Sequence, residues 1–553
     1  MERTIESLTA AVAARPDAIA ERLALVRLQL RAGRIDAALE TARHASIVDT
    51  APALGEVLRD FAAVRAFAAH ATLLGARAAR HPDDYDAALA LASALHGLGR
   101  PGDALISAGR AHALRPHERL PREIRATALI DRGDVEQGLA LFRELLPDAD
   151  AATAARYLVL MHYDPGATND ELFAHLQSFA RKHLPRPGAP FTRAIERDAR
   201  RRLRIGWLSP RFAEGPVASF LPGLLGAFDR TRHRHLLISL QPARDDATAR
   251  FEALADEWIV LAGPDDATLL QRLRALELDV LVDLAGHSTA NRIGVVAQRV
   301  APLQASWLDW FDTTAVPAMD AWISDAWLTP ADSTQRYSER VLRLPSGRFC
   351  YSPPDDAPPP TYDGDGTIVF ASFNRLAKIN AEVVATWAAI LRRVPGSRLE
   401  LGARLLGDEA TRTYTRERFA AHGVEPNRVI LHGQRTYGAL LAAYRSVDIA
   451  LDPFPFSGCT TTCDALYMGA AVIACTGETF VSRQSASLLE RLGREDWIAL
   501  DADDYVERAV AVSAHVERLR ATRATQRRDV VTRLCDAAAQ ARDFAAAFAE
   551  LIG

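Results

Sequence analysis

Two textures of hydrophobic and polar positions divide the chain. From residue 203 onward, short apolar runs are separated by longer stretches with helical spacing: "LRIGWLS" (203–209), "HLLISL" (235–240), "EWIVLAG" (257–263) and "LDVLVDLAG" (278–286). This alternation predicts parallel βα units, whose strands are buried on both faces and therefore read as unbroken apolar runs. "YSPPDDAPPPTYDGDG" (351–366) interrupts the series. Its prolines and glycines exclude both strand and helix and predict a stiff interdomain linker. A second series follows in "TIVFASF" (367–373), "SRLELGA" (397–403), "NRVILHG" (427–433), "VDIALD" (447–452) and "AAVIAC" (470–475), and residues 506–551 are helical by pattern. The prediction is two Rossmann-like α/β halves, 203–350 and 367–525, facing a cleft, with a C-terminal helix over 526–553. Open sheets of this kind bind ligands beyond the carboxyl ends of their strands.

Residues 1–150 carry a different rhythm. Gly99 and Gly133 are 34 residues apart, as are Pro82 and Pro116, and Gly33 lies 66 before Gly99. Small residues recur five and twelve positions after the glycine, at Ala38 and Ala45 and again at Ala104 and Ala111. The glycine permits a tight turn between helices, the small residues permit close packing, and the proline ends the second helix. This 34-residue period resembles the tetratricopeptide repeat. Four repeats are expected, with a degenerate unit around residues 61–82 filling the gap, followed by a helical connector over 151–202.

Composition narrows the classes. At roughly 150 residues per domain, 553 residues predict three to four domains. A formal charge of −4 gives no reason to expect a nucleic-acid partner. Apolar runs fall far short of the ~20 residues that span a bilayer, and the first residues mix acids and arginines without an apolar core, so neither a membrane span nor a signal peptide is expected. The five cysteines are few and odd in number, and Cys459-x3-Cys463 lacks a second pair or nearby histidine. No zinc site is expected, and the setting predicted is the reducing cytoplasm.

The stretch "VDIALDPFPFSGCTTTCDALYMGAAVIACTGETFVSR" (447–483) carries the clearest chemistry. A strand ends near Asp452, the chain turns over Pro453, Pro455 and Gly458, and a helix starts near Cys459. Its first turn offers backbone N–H groups, with hydroxyls from Thr460 to Thr462 beside them. That is a ready site for a phosphate or diphosphate. Asp464, near the start of the same helix, is placed to accept from ribose hydroxyls. Simple N-capping by a threonine is the competing explanation.

That stretch, with "FASFNRLAKINAEVVATWAAILRRVPGSRLELGARLLGD" (370–408) and "VDLAGHSTANRIGVVAQRVAPLQASWL" (282–308), resembles the bacterial relatives of the protein O-GlcNAc transferases. The resemblance covers most of residues 203–483, and tetratricopeptide repeats in front are the family's usual arrangement. It implies a GT-B fold and transfer of a sugar, GlcNAc or a related hexose, from a nucleotide diphosphate donor such as a UDP-sugar to a protein side chain. By position it assigns Lys378 as the catalytic lysine, whose ammonium would offset charge on the leaving diphosphate. It assigns Thr460 and Thr461 to the diphosphate and Asp464 to the ribose, with Asn374, Arg375, Arg435 and Tyr437 completing the donor set. Lysine and helix dipole together imply metal-independent transfer with no cofactor.

The departures from the family pattern are specific. Cys459 stands for a histidine, Arg375 for a glutamine, and Tyr437 and Leu440 for base-contacting residues of the animal members. The "GYPGT" loop is here "DWFDT" (309–313), with Asp309 and Asp312 for glycines, a change that would suit extra contacts to sugar hydroxyls. A histidine proposed as acceptor base is Gly215. His287, directly after the strand 279–284, is then the nearest candidate for general base, facing the cleft; the competing reading is that it only hydrogen-bonds backbone or the donor sugar. The partner implied is a polypeptide acceptor recruited by the repeats, flagellin or another surface protein among the possibilities. Alternatives are a different donor sugar or a non-protein acceptor, and a catalytically silent nucleotide-binding scaffold.

Overall fold

A computed structural model describes residues 2–186, 191–195 and 201–552. The chain divides into two compact units. The first holds the chain up to Pro147 together with Ala403–Glu417 and His432–Gln434. After an opening helix, Glu2–Ala14, come four helix pairs: Ile19–Arg31 with Ile35–Ala42, Ala51–Ala63 with Phe67–Arg80, Tyr85–Gly97 with Pro101–Leu114, and Arg119–Asp131 with Val135–Leu145. The turns pass through Gly33, Gly99 and Gly133 at φ of 73°, 74° and 99°. The degenerate second repeat has Arg65 at the equivalent turn, in the same left-handed region at φ 57°. A side chain there costs conformational energy that glycine avoids, so the repeat is hidden from a search for glycine but not from the fold.

Within the same unit, Ala403–Glu417 seats against the turns of the last two repeats. Asp408 Oδ2 accepts from Gly102 N at 2.8 Å, the Tyr414 hydroxyl donates to Asp134, and the Arg132 guanidinium lies 4.1 Å from the Tyr414 ring centre.

The second unit carries the α/β halves. The first half is a seven-stranded sheet of β1 (Leu203–Ser209), β2 (His233–Ser239), β3 (Glu257–Val260), β4 (Val280–Asp283), β5 (Leu303–Ser306), β6 (Ala321–Ser324) and β7 (Arg340–Arg343). Its order is β3-β2-β1-β4-β5-β6-β7, with parallel pairing throughout. The second sheet is built from β8 (Val369–Ser372), β9 (Arg398–Gly402), β10 (Val429–His432), β11 (Ile449–Leu451), β12 (Ala471–Cys475) and β13 (Ile498–Ala499), in the order β10-β9-β8-β11-β12-β13. The reversal on either side of β1 and of β8 creates crevices at the strand ends, where ligands of doubly wound sheets sit.

The connector is helical over Ala151–Leu160 and Asn169–His183; its residues 187–190 and 196–200 lie outside the described residues. Residues 351–366 hold no helix or strand. The terminal segment is two helices, Val516–Leu534 and Ala537–Ile552, so the break falls at Cys535 and Asp536 and not at residue 526. The last helix returns to the first half: Phe544, fully buried, lies 4.9 Å from Trp307 and 6.2 Å from Trp207 between ring centres.

Candidate active site

The phosphate end is built on one backbone device. β11 delivers Asp452, whose Oδ1 accepts from Gly458 N at 2.7 Å. A Cβ on Gly458 would sit 2.6 Å from that same Oδ1 and 2.6 Å from Thr462 Oγ1, so no larger residue fits the turn. The helix Thr460–Tyr467 then starts with Cys459 as N-cap and no side chain capping it. Two of the three threonines are otherwise engaged: Thr461 Oγ1 donates to Asn374 Oδ1 at 3.1 Å and Thr462 pairs with Ser485 at 2.7 Å. Threonine N-capping is thus not what these residues do, and the first-turn amides have no side-chain oxygen upon them. An anion placed there would meet them directly.

Lys378 reaches the same loop from a 3-10 turn after β8. Its Nζ donates to Ser457 O at 2.7 Å and stands 4.5 Å from the centre of the Phe456 ring. One peptide group therefore links two charges, since Ser457 O accepts from Lys378 while Gly458 N donates to Asp452. Burial pushes the Lys378 ammonium down to about 8, opposed by the Asp452 charge. Burial likewise pushes the Asp452 carboxyl up.

Lys378, Asn374, Arg375, Thr460 and Thr461 line a single cavity of about 280 Å³. The first half contributes Arg211, Pro216 and Asp309 to its wall, and the connector contributes Val159 and Tyr163. Tyr163 stacks on Phe456 at 4.8 Å between ring centres, and Phe311 meets Phe456 edge-on at 4.9 Å. Tyr163, Phe311 and Phe456 thus pack together in the cavity wall.

The remaining donor residues, Arg435, Tyr437 and Asp464, are not among those lining this cavity. Asp464 is 1% exposed, and its Oδ1 accepts from Tyr351 at 2.7 Å and from Tyr437 at 2.8 Å. Burial pushes this carboxyl up to about 7, the two phenols opposing. A ribose hydroxyl bonding Asp464 Oδ1 would have to share that oxygen with these two phenols or displace one of them. Arg435 lies with its guanidinium 5.3 Å from the Phe373 ring centre, and its Nη1 is buried with no hydrogen-bond partner.

Two expectations are corrected. His287 does not face the cleft: it is 2% exposed, its Nε2 bonds Thr314 O at 2.7 Å, and its ring packs edge-on against Trp310 and Phe179. Burial pushes it down to about 4, and the turn after β4 aims the ring into the core. Asp312 is also spent internally, bonded to His162 Nε2 at 2.9 Å and to Gln335 Nε2 at 2.7 Å, while Gln335 Oε1 accepts from Phe480 N at 2.6 Å. It ties the connector to both α/β halves and offers nothing to a sugar.

Sequence reasoning missed the roles of Asp452, Tyr351, Phe456 and Tyr163. One compositional signal went unused. Of 66 basic Lys and Arg side chains only two are lysine, Lys182 and Lys378. A chain that uses arginine almost everywhere, yet lysine in this cavity, marks the position as one where a compact ammonium matters.

The model of glycosyl transferase family 41 matches residues 182–352 and 361–543. An O-GlcNAc transferase mutant from Thermobaculum terrenum superposes with a TM-score of 0.81 at 30% identity, covering 90% of this chain and 96% of that one. The tomato (Solanum lycopersicum) protein named probable UDP-N-acetylglucosamine–peptide N-acetylglucosaminyltransferase SPINDLY is 31% identical over 409 residues, which is 71% of this chain and 43% of the relative. An Arabidopsis thaliana relative, SEC, is 26% identical over 336 residues, 58% of this chain and 34% of its own length. The chain thus spans less than half the length of these plant relatives. Helical repeats, two parallel-sheet halves, a lysine beside an uncapped helix N-terminus and a family match over well over half the sequence converge: the fold is GT-B, and the chain belongs to glycosyl transferase family 41.

Proposed function

We propose that the protein transfers a sugar, GlcNAc or a related hexose, from a nucleoside diphosphate donor to a polypeptide side chain, with the acceptor recruited by the helical repeats. The observation that carries this reading is the placing of Lys378 and the uncapped Thr460–Tyr467 helix on one cavity. A diphosphate seated on Thr460 and Thr461 puts its negative charge against first-turn amides. Lys378 exchanges Ser457 O for a phosphate oxygen and stabilises the charge that grows as the anomeric bond breaks. These groups supply the positive charge that a divalent cation supplies elsewhere, so metal-independent transfer is part of the proposal. Arg435 and the Tyr437–Asp464 pair form the nucleoside end, the unpartnered Nη1 of Arg435 supporting a ligand there.

The names of the relatives support UDP-GlcNAc as donor and a peptide as acceptor. A cytoplasmic setting, where the five free cysteines stay reduced, belongs to the same reading. No helix among the described residues is long and apolar enough to cross a membrane. The test is intact-protein mass spectrometry of candidate acceptors co-expressed with this chain. A hexosamine or hexose increment is expected, lost with Lys378→Ala, whose rate falls roughly 10²–10³-fold when one preorganised electrostatic contact is removed. An unmodified acceptor pool, or equal modification by Lys378→Ala, overturns the reading.

A further inference from the structure

We propose that Asp309 is the catalytic base of the transfer, the group that takes the acceptor's proton; the assignment rests on the function proposed above. The cavity itself is the first argument. Among the described residues lining it, Asp309 is the one carboxylate, and none is a histidine. The other ionisable groups there are the cations Arg211, Arg375 and Lys378, the Tyr163 phenol, and the Cys459 thiol, which burial holds protonated. His287 is sealed behind Trp310, and Gly215 has no side chain to offer.

The backbone supplies the second argument. β5 ends at Ser306, Trp307 N donates to Asp283 O at 3.0 Å, and Leu308 then adopts a left-handed φ of 81°. That conformation is strained for leucine, and it persists because the residues around it are fixed. Trp307 and Trp310 are both fully buried, and Asp309 N donates to Leu284 O at 3.1 Å. The reversal turns the Asp309 side chain, 14% exposed, into the cavity wall between two locked tryptophans.

Its electrostatics suit the task. Burial raises the proton affinity of the carboxyl, while Arg211, with Nε 3.5 Å from Oδ2, Arg375 and Ser288 oppose that rise; the other titratable group facing it is buried Asp283, whose own carboxyl is pushed up by burial and by the Asp309 charge. The balance is a carboxylate that is more basic than a solvated aspartate. In the step, Asp309 accepts the proton of the acceptor's nucleophilic atom, which forms a bond to the anomeric carbon. The bond from that carbon to the diphosphate oxygen breaks, and its electron pair leaves with the nucleoside diphosphate at Lys378 and Thr460. Protonated Asp309 returns the proton to solvent as product departs.

The experiment compares wild type, Asp309→Asn and Asp309→Glu as full-length proteins, measuring transfer against pH and UDP binding by calorimetry. Asp309→Asn is expected to lose roughly 10²-fold or more in kcat, the size of a general-base contribution, with UDP affinity unchanged. The acidic limb of the wild-type profile should vanish in Asp309→Asn and return in Asp309→Glu. Near-normal transfer by Asp309→Asn, or a loss expressed in donor binding with the acidic limb intact, overturns the role and leaves Asp309 a sugar contact. Absence of transfer by the wild type overturns the function and this role with it.

Discussion

An ammonium that rests on a backbone carbonyl must trade that partner for a phosphate oxygen when donor arrives, and the trade has a pH signature. In the free protein Lys378 is pushed down to about 8 by burial, so its positive charge is lost as pH rises through that value. Asp452, the Arg375 guanidinium and the Cys459 thiol are the charged and titratable groups facing it. A bound diphosphate adds negative charge beside the ammonium and raises its proton affinity again. Since kcat/KM reports the free enzyme and kcat the complex, kcat/KM is expected to fall above about pH 8 while kcat holds to higher pH. Lys378→Arg, always charged, should remove the limb from the accessible range whatever it does to the absolute rate. Coincident basic limbs in kcat and kcat/KM, or a limb that survives Lys378→Arg, would show that another group titrates.

Among the elements, the helix Ala537–Ile552 is held to the first half through Phe544. Phe544 fills the space between Trp207 on β1 and Trp307 beyond β5, so Phe544→Ala opens a cavity in the first half although the residue is near the end of the chain. The expected cost is about 3–5 kcal/mol, as for other buried Phe→Ala changes; denaturant unfolding measures it, and a loss under about 1 kcal/mol would mean the site collapses freely. Nothing in the helical pattern of residues 506–551 told which half this helix would cover. Strands such as β1 and β12 were legible because they are unbroken apolar runs. β5, β6, β7 and β13 were not, and β5 shows why: it carries Gln304 among its apolar residues, buried because its amide serves Val300 N, Val296 O and Ala318 O. The phosphate end of the site was legible for a local reason: strand, turn and helix N-terminus are contiguous in sequence. Asp309 and Tyr351 were not readable in that way. One is aimed by the left-handed backbone of Leu308, the other reaches Asp464 across 113 residues of sequence, and neither leaves a periodic trace.

For the molecule as a whole, the seating of Ala403–Glu417 on the repeat turns makes two distant parts of the chain interdependent. Gly102 and Gly109 lie in the same helix, Pro101–Leu114, yet they should respond to alanine with opposite signs. A Cβ at Gly109 meets nothing within 4 Å, so Gly109→Ala should gain up to about 1 kcal/mol of helix propensity. A Cβ at Gly102 would come within 2.7 Å of the Ala410 Cβ and 3.1 Å of Thr411 N, and that backbone cannot yield cheaply. Gly102→Ala should therefore cost about 1–3 kcal/mol, the usual toll of overpacking, in thermal or chemical unfolding of the full chain. Stabilisation by both substitutions would show that the seating contributes nothing. Lys378, held on Ser457 beneath Phe456, has one more consequence at this scale. A protease that cuts only after lysine finds two places on this chain, exposed Lys182 and the half-buried Lys378, and complete digestion yields residues 1–182, 183–378 and 379–553. Those fragments fall close to the repeats with their connector, the first α/β half and the second. A diphosphate held by Lys378 should slow the second cut, leaving residues 1–182 and 183–553 where the free protein gives all three fragments.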